Sequence, residues 1–103
     1  MPTASNQWHV GLVGYGEVSR ILAEDLRKDG VRVFAYDVKL DGPQARALQE
    51  HAAGIGVTLA ASHAELAAEA DFIVSAVTAS QAVSVARACA GAVKKGAWFL
   101  DFN

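Results

Sequence analysis

Five short apolar runs alternate with four longer stretches of helical periodicity, and no two neighbouring runs are joined by a hairpin turn. Strands separated in this way cannot pair as an antiparallel meander. They need crossover connections, which make βαβ units and a parallel sheet covered by helices on both faces. Such an open, doubly wound α/β sheet binds its ligands outside the carboxyl ends of its strands, where the strand order reverses. The residues that follow each apolar run are therefore the first to inspect for chemistry.

The first strand is read over His9 to Val13 and is ended by Gly14. From Gly16 to Asp29 the period becomes helical. Val18, Ile21, Leu22 and Leu26 fall on one face, with Arg20, Glu24, Arg27 and Lys28 on the other, and Gly30 supplies the stop. Val31 to Tyr36, β-branched and aromatic, is the second strand. Asp41 is then the expected N-cap of a second helix with Pro43 in its first turn, running to about Ala53 before Gly54 and Gly56 break it. Val57 to Leu59 is a short third strand. Ser62 and Glu65 have capping-box spacing, so a brief helix follows to about Ala70. Phe72 to Val77 is the fourth strand, Ser80 to about Val93 a helix with Lys94 and Lys95 at its end, and Ala97 to Asp101 the fifth strand.

Composition narrows the function class. Of the 103 residues 52% are hydrophobic and 19% charged, and the formal net charge is −2, which excludes a disordered charged tail. No basic stripe is present beyond the Lys94-Lys95 pair, so a nucleic-acid partner is not expected. No apolar stretch reaches the roughly 18 residues of a membrane helix, and the N-terminus lacks a signal-peptide layout. Cys89 is alone and cannot form an internal disulfide. The expectation is a single soluble cytoplasmic domain.

After the first strand stands Gly14-Tyr15-Gly16-Glu17-Val18-Ser19, two glycines of G-x-G-x-x-G with Ser19 in the third place. In that pattern the first glycine permits the tight turn, the second lets a pyrophosphate approach the backbone, and a small third residue lets helix and strand pack closely. A helix opening at Gly16 would aim free N–H groups and its positive dipole end at the phosphates. Alone the motif is only a glycine-rich turn. After a strand, before a helix and inside a βαβ unit it reads as a dinucleotide site on a Rossmann-like sheet of order 3-2-1-4-5. Asp37 ends the second strand about 20 residues on, where an acid accepts hydrogen bonds from the adenosine ribose and repels a 2′-phosphate. Like charges about 4 Å apart cost on the order of 4 kcal/mol at an effective dielectric near 20. Asp37 thus favours NAD. Lys39, whose side chain can reach a 2′-phosphate, keeps NADP open. Val77 and Thr78 follow the fourth strand, and their main chain would line the cofactor's path. The Thr78 and Ser80 hydroxyls read rather as caps of the next helix.

The other reactive residue types do not form a catalytic constellation. His9, His51 and His63 share no metal-ligand spacing and read as surface or packing histidines, so no metal site is expected. Cys89 lies among alanines and reads as core. Ser75 lacks G-x-S-x-G, and Glu65 with Glu69 reads as a solvated pair.

The run from Gly11 to Ser19 resembles the N-terminal signature of the β-hydroxyacid dehydrogenase family, which includes 6-phosphogluconate and 3-hydroxyisobutyrate dehydrogenases. Val18 stands where that family most often has Met. The stretch Ala70 to Thr78 resembles the family's fourth strand, and Asp101-Phe102-Asn103 the start of its substrate-side motif. The phrase Ser75 to Gln81 is closest to the branch labelled 6-phosphogluconate dehydrogenase NAD-binding domain proteins. The resemblance implies that Gly14, Gly16, Glu17, Val18, Asp37 and Val77 line the cofactor, Glu17 and Val18 mainly through backbone N–H groups, with Asn103 near the nicotinamide. Family members run to twice this length or more. The Gly-rich substrate loop, the catalytic Lys and the helical C-terminal domain have no counterpart in these 103 residues.

The leading expectation is therefore the cofactor-binding domain of an NAD(P)-dependent oxidoreductase acting on a small hydroxy acid, without catalytic residues of its own. The alternative is a free-standing dinucleotide sensor or interaction module. A phospho-acceptor module would need acids where Gly14-Tyr15-Gly16 stands. Trp98, Phe99 and Leu100 would lie on an edge strand, so a homo-oligomer is expected.

Overall fold

In a computed structural model the chain is described over residues 8–77, 79–91, 93 and 96–101. The order is β1 (His9–Val13), α1 (Glu17–Lys28), β2 (Arg32–Tyr36), a 3-10 turn (Val38–Asp41), α2 (Ala45–Ile55), β3 (Thr58–Leu59), α3 (His63–Glu69), β4 (Phe72–Ser75), α4 (Ala79–Ala90) and β5 (Trp98–Asp101). The five strands form one sheet in the order β3-β2-β1-β4-β5, and every pairing is parallel. This is the Rossmann-like topology expected from the alternating runs.

Side-chain alternation along the strands separates two cores. Val10, Leu12, Val33, Ala35 and Val74 point to one face, where Ala23 of α1 and Leu48 and Ala52 of α2 cover them. Val13 and Ile73 point to the other face, under Leu66, Ala67 and Ala70 at α3 and Val85 and Cys89 of α4. Leu12 and Ile73 are fully buried, each contributing about 1.5–3 kcal/mol of apolar transfer. Gly11 sets the spacing on the second face, because a Cβ there would stand 2.6 Å from Leu66 Cδ2 and 2.9 Å from the Ala70 Cβ.

Three expectations are corrected. The buried stripe of α1 is Ser19 and Ala23 with Leu22 and Leu26 partly buried, while Val18 and Ile21 are 59% and 55% exposed. Small side chains at Ser19 and Ala23 let the helix approach the sheet, and they carry little hydrophobic signal. Arg27 is not on a solvated face: its Nε donates to the Ile55 carbonyl and a terminal nitrogen to the Val31 carbonyl, both at 3.0 Å, tying the end of α2 to the start of β2. Asp41 does not cap α2. Asp37 initiates the 3-10 turn instead, α2 begins at Ala45 without a side-chain cap, and it continues through Gly54 to the left-handed Gly56. The Ser62 cap forms as expected, its Oγ accepting from the Glu65 N–H at 3.1 Å. The Lys94-Lys95 pair lies outside the described residues. Among the described residues no helix is long and apolar enough to cross a membrane.

Candidate dinucleotide site

The carboxyl ends of β1, β2 and β4 meet at the turn after β1. Gly14 adopts φ +86°, and its N–H donates to the Tyr36 carbonyl at 2.8 Å. A Cβ on Gly14 would stand 2.6 Å from the Ala76 carbonyl oxygen and 3.1 Å from Val77 Cγ1. The glycine is thus demanded twice, by conformation and by the close passage of the chain after β4. Gly16 is different. Its φ of −87° suits any residue, and a Cβ there would meet nothing within 4 Å. Neither backbone nor packing requires a glycine at this position, so what its smallness preserves is open space at the head of α1. Gly16 provides no side-chain cap, and the first N–H groups of an α-helix have no intrahelical acceptor. Together these features make a cradle for an anion.

Asp37 stands beside this cradle. Its Oδ2 accepts the Tyr15 N–H at 2.7 Å and its Oδ1 accepts the Lys39 N–H at 2.9 Å. Each carboxylate oxygen keeps a further lone pair for hydroxyl donors. Val38 and the exposed Lys39 follow at the rim, with Val38 54% exposed. His63, at the start of α3, packs its ring edge-on to Tyr36 at 4.7 Å. Burial pushes the His63 pKa down, opposed by the nearby Asp37 carboxylate.

The structure therefore brings Gly14, Tyr15, Gly16, Asp37, Lys39 and Val77 together, with Glu17 and Val18 exposed in the first turn of α1. Thr78 and Asn103 lie outside the described residues. Cys89 is buried as expected, its thiol pushed up by desolvation. Ser75 is buried too, and so is not placed to act as a nucleophile. Among the described residues no group of three His, Cys, Asp or Glu side chains could hold a metal ion.

One cluster was not legible in the sequence. The Tyr15 ring turns inward and is fully buried, its hydroxyl lies 2.6 Å from His51 Nδ1, and His51 Nε2 lies 2.9 Å from Glu24 Oε2. Burial, reinforced by Glu24 and opposed by Arg20, pushes the Tyr15 pKa up to about 12. Burial thus keeps the phenol protonated, and the His51 ring links its oxygen to the Glu24 carboxylate through its two nitrogens. The three residues come from the β1–α1 turn, α2 and α1, and no spacing rule connects them.

A family model described as NADP oxidoreductase coenzyme F420-dependent matches residues 9–102. The chain belongs to this family. A solved structure of a conserved hypothetical protein from Sinorhizobium meliloti 1021 is 30% identical, with a TM-score of 0.88 over 97% of this chain and 34% of that one. A putative oxidoreductase from Mycobacterium avium 104 is 28% identical, with a TM-score of 0.74 over 92% of this chain and 32% of that one. The 3-hydroxyisobutyrate dehydrogenase of Mycobacterium tuberculosis, 22% identical, shares the fold with a TM-score of 0.77 over 91% of this chain and 31% of that one. This chain spans about a third of the length of these structures. A comparison with curated proteins returns no match. The family match and the shared fold agree with the resemblance read from Gly11 to Ser19: the chain has the Rossmann-like fold and belongs to an oxidoreductase family.

Proposed function

We propose that this chain is the dinucleotide-binding domain of an NAD-preferring dehydrogenase whose substrate is a small hydroxy acid, and that by itself it turns over nothing. The observation that carries the reading is the open space at Gly16. Gly54 has equal space around it but lies within α2; at Gly16 the space opens between the carboxyl end of β1 and the first N–H groups of α1, where a ligand can reach unpaired donors. A pyrophosphate fits that opening, received by the N–H groups at the head of α1.

The bound nicotinamide supplies a hydride donor or acceptor. The chain's own residues hold and orient. Asp37 takes the adenosine ribose hydroxyls on its remaining lone pairs and disfavours a 2′-phosphate by like charge. Glu17 and Val18 contribute backbone N–H groups, and the main chain at Val77 flanks the path toward the nicotinamide. By the family resemblance Asn103 lies at the substrate end. No residue of this chain matches the family's proton-transferring Lys, so the acid–base step falls to a segment beyond these 103 residues.

NADP is the second reading. It is favoured by the exposed Lys39 beside Asp37 and by the family's description as NADP oxidoreductases. Calorimetric titration with each dinucleotide decides between them. Saturable binding that favours NAD and is lost in Gly14→Val supports the proposal. Preference for NADP transfers the selectivity to Lys39, and binding of neither refutes the cofactor role of this chain. Hydride transfer by the purified chain above the Gly14→Val control would refute its non-catalytic role.

A further inference from the structure

We propose that Tyr15, His51 and Glu24 act as a positioning chain that holds the glycine turn and Asp37 ready for the ribose and pyrophosphate of a dinucleotide. This rests on the dinucleotide reading above. The need for such a device follows from the turn itself. Tyr15 stands between Gly14 and Gly16, the two residues with the most backbone freedom to lose, so the turn is costly to order when a ligand arrives. An anchor at the residue between them reduces that cost before binding.

Tyr15 is anchored at both its ends. Its N–H donates to Asp37 Oδ2 at 2.7 Å, which joins the turn to the end of β2 and fixes the carboxylate's orientation. Its ring is fully buried against the α1 and α2 face of the sheet. Apolar packing alone would be served as well by Phe, but a buried hydroxyl without a partner is costly, and this one has His51 at 2.6 Å. The rings of Tyr15 and His51 meet edge to face with centroids 5.4 Å apart. His51 in turn is held by Glu24 at 2.9 Å, on the same helix whose first turn forms the anion cradle. The path thus closes a loop from α1 through α2 to the turn and on to Asp37. Because each link is a directional hydrogen bond, the path specifies an orientation as well as a volume.

The test uses Tyr15→Phe, His51→Phe and the double variant in the intact chain, with Ile73→Val as a core control on the opposite face of the sheet. Two readouts are taken: hydrogen exchange of the residue-15 amide without ligand, and NAD affinity by calorimetry. Tyr15→Phe is expected to speed that exchange and weaken NAD binding by about two- to tenfold, the worth of one hydrogen bond, and His51→Phe by at least as much, since it also removes the bond to Glu24. The double variant is expected to lose no more than the worse single one, because the two residues share one bond. Ile73→Val is expected to lower the melting temperature with neither change. Unchanged exchange of the residue-15 amide in Tyr15→Phe, or an affinity loss in Ile73→Val equal to that of the path variants, overturns the proposal. Should the unmodified chain bind neither NAD nor NADP, the dinucleotide reading fails and the ligand part of this proposal with it, while the exchange measurement still decides whether the path holds the turn.

Discussion

The two glycines of the turn, which look equivalent in a motif, are expected to respond oppositely to one added methyl group. In Gly14→Ala the residue must keep φ +86°, which costs an L-residue on the order of 1–2 kcal/mol. Its methyl would also stand 2.6 Å from the Ala76 carbonyl oxygen, an overpacking of about 1–3 kcal/mol. A loss of 2 kcal/mol or more in a domain of this size lowers the melting temperature by roughly 10 °C or more. In Gly16→Ala neither term arises, since φ is −87° and nothing lies within 4 Å. The poorer N-cap costs under about 1 kcal/mol, and the reduced freedom of the unfolded chain returns about 0.4–1 kcal/mol. The melting temperature should therefore stay within about 5 °C of the parent. The methyl would nonetheless narrow the opening proposed to receive the pyrophosphate, and a dissociation constant for NAD raised at least about tenfold, some 1.4 kcal/mol, is expected. Thermal melts and calorimetric titration of the two variants are the assay. A Gly16→Ala chain that binds NAD like the parent, or one that melts as low as Gly14→Ala, refutes the distinction.

Other outcomes follow from single contacts. Gly11→Ala should destabilise by about 1–3 kcal/mol by driving α3 off β1, read in denaturant unfolding. Ser62→Ala should cost about 1 kcal/mol through the lost N-cap bond to Glu65, again read in denaturant unfolding. His63, whose pKa lies below its ordinary 6.5 in the folded chain, should make stability fall as pH drops below 6.5, because the unfolded chain takes up the proton first; the fall ends at the lower folded pKa, and His63→Asn should remove this part of the pH dependence of the melting temperature. Trp98, Phe99 and Leu100 are 61%, 39% and 46% exposed on the edge strand β5, and light scattering at micromolar concentration should show a dimer or larger species, a clean monomer counting against association there.

Much of this was legible in the sequence because it is local or periodic. The apolar runs identify all five strands within about two residues at each end. The glycine turn, Asp37 and Val77 come together because chain order fixes what lies at the carboxyl end of a parallel sheet. Small or polar residues that carry packing leave little trace in the sequence. Ser19 and Ala23 face the core although Val18 and Ile21 are the stronger hydrophobes. Asp37, placed by the sequence at a strand end, also holds the Tyr15 amide and starts the 3-10 turn, so the next helix begins later than Asp41 suggests. His51 and Glu24 gave no signal, since their meeting with Tyr15 depends on how α1 and α2 lie side by side on the sheet.

The most direct test is an amide NMR titration of the isotope-labelled chain with NAD. The expected result is saturable shifts confined to the carboxyl end of the sheet, at Gly14 to Val18, Asp37 to Lys39 and Val77. A shallow cavity of about 240 Å³ at the amino ends of β2 and β3, lined by Arg27, Arg32, Phe34 and Thr58 among others, supplies the contrasting location for an anionic ligand. Shifts centred there, or none that saturate, would contradict the assignment of the glycine turn and Asp37 as the dinucleotide site.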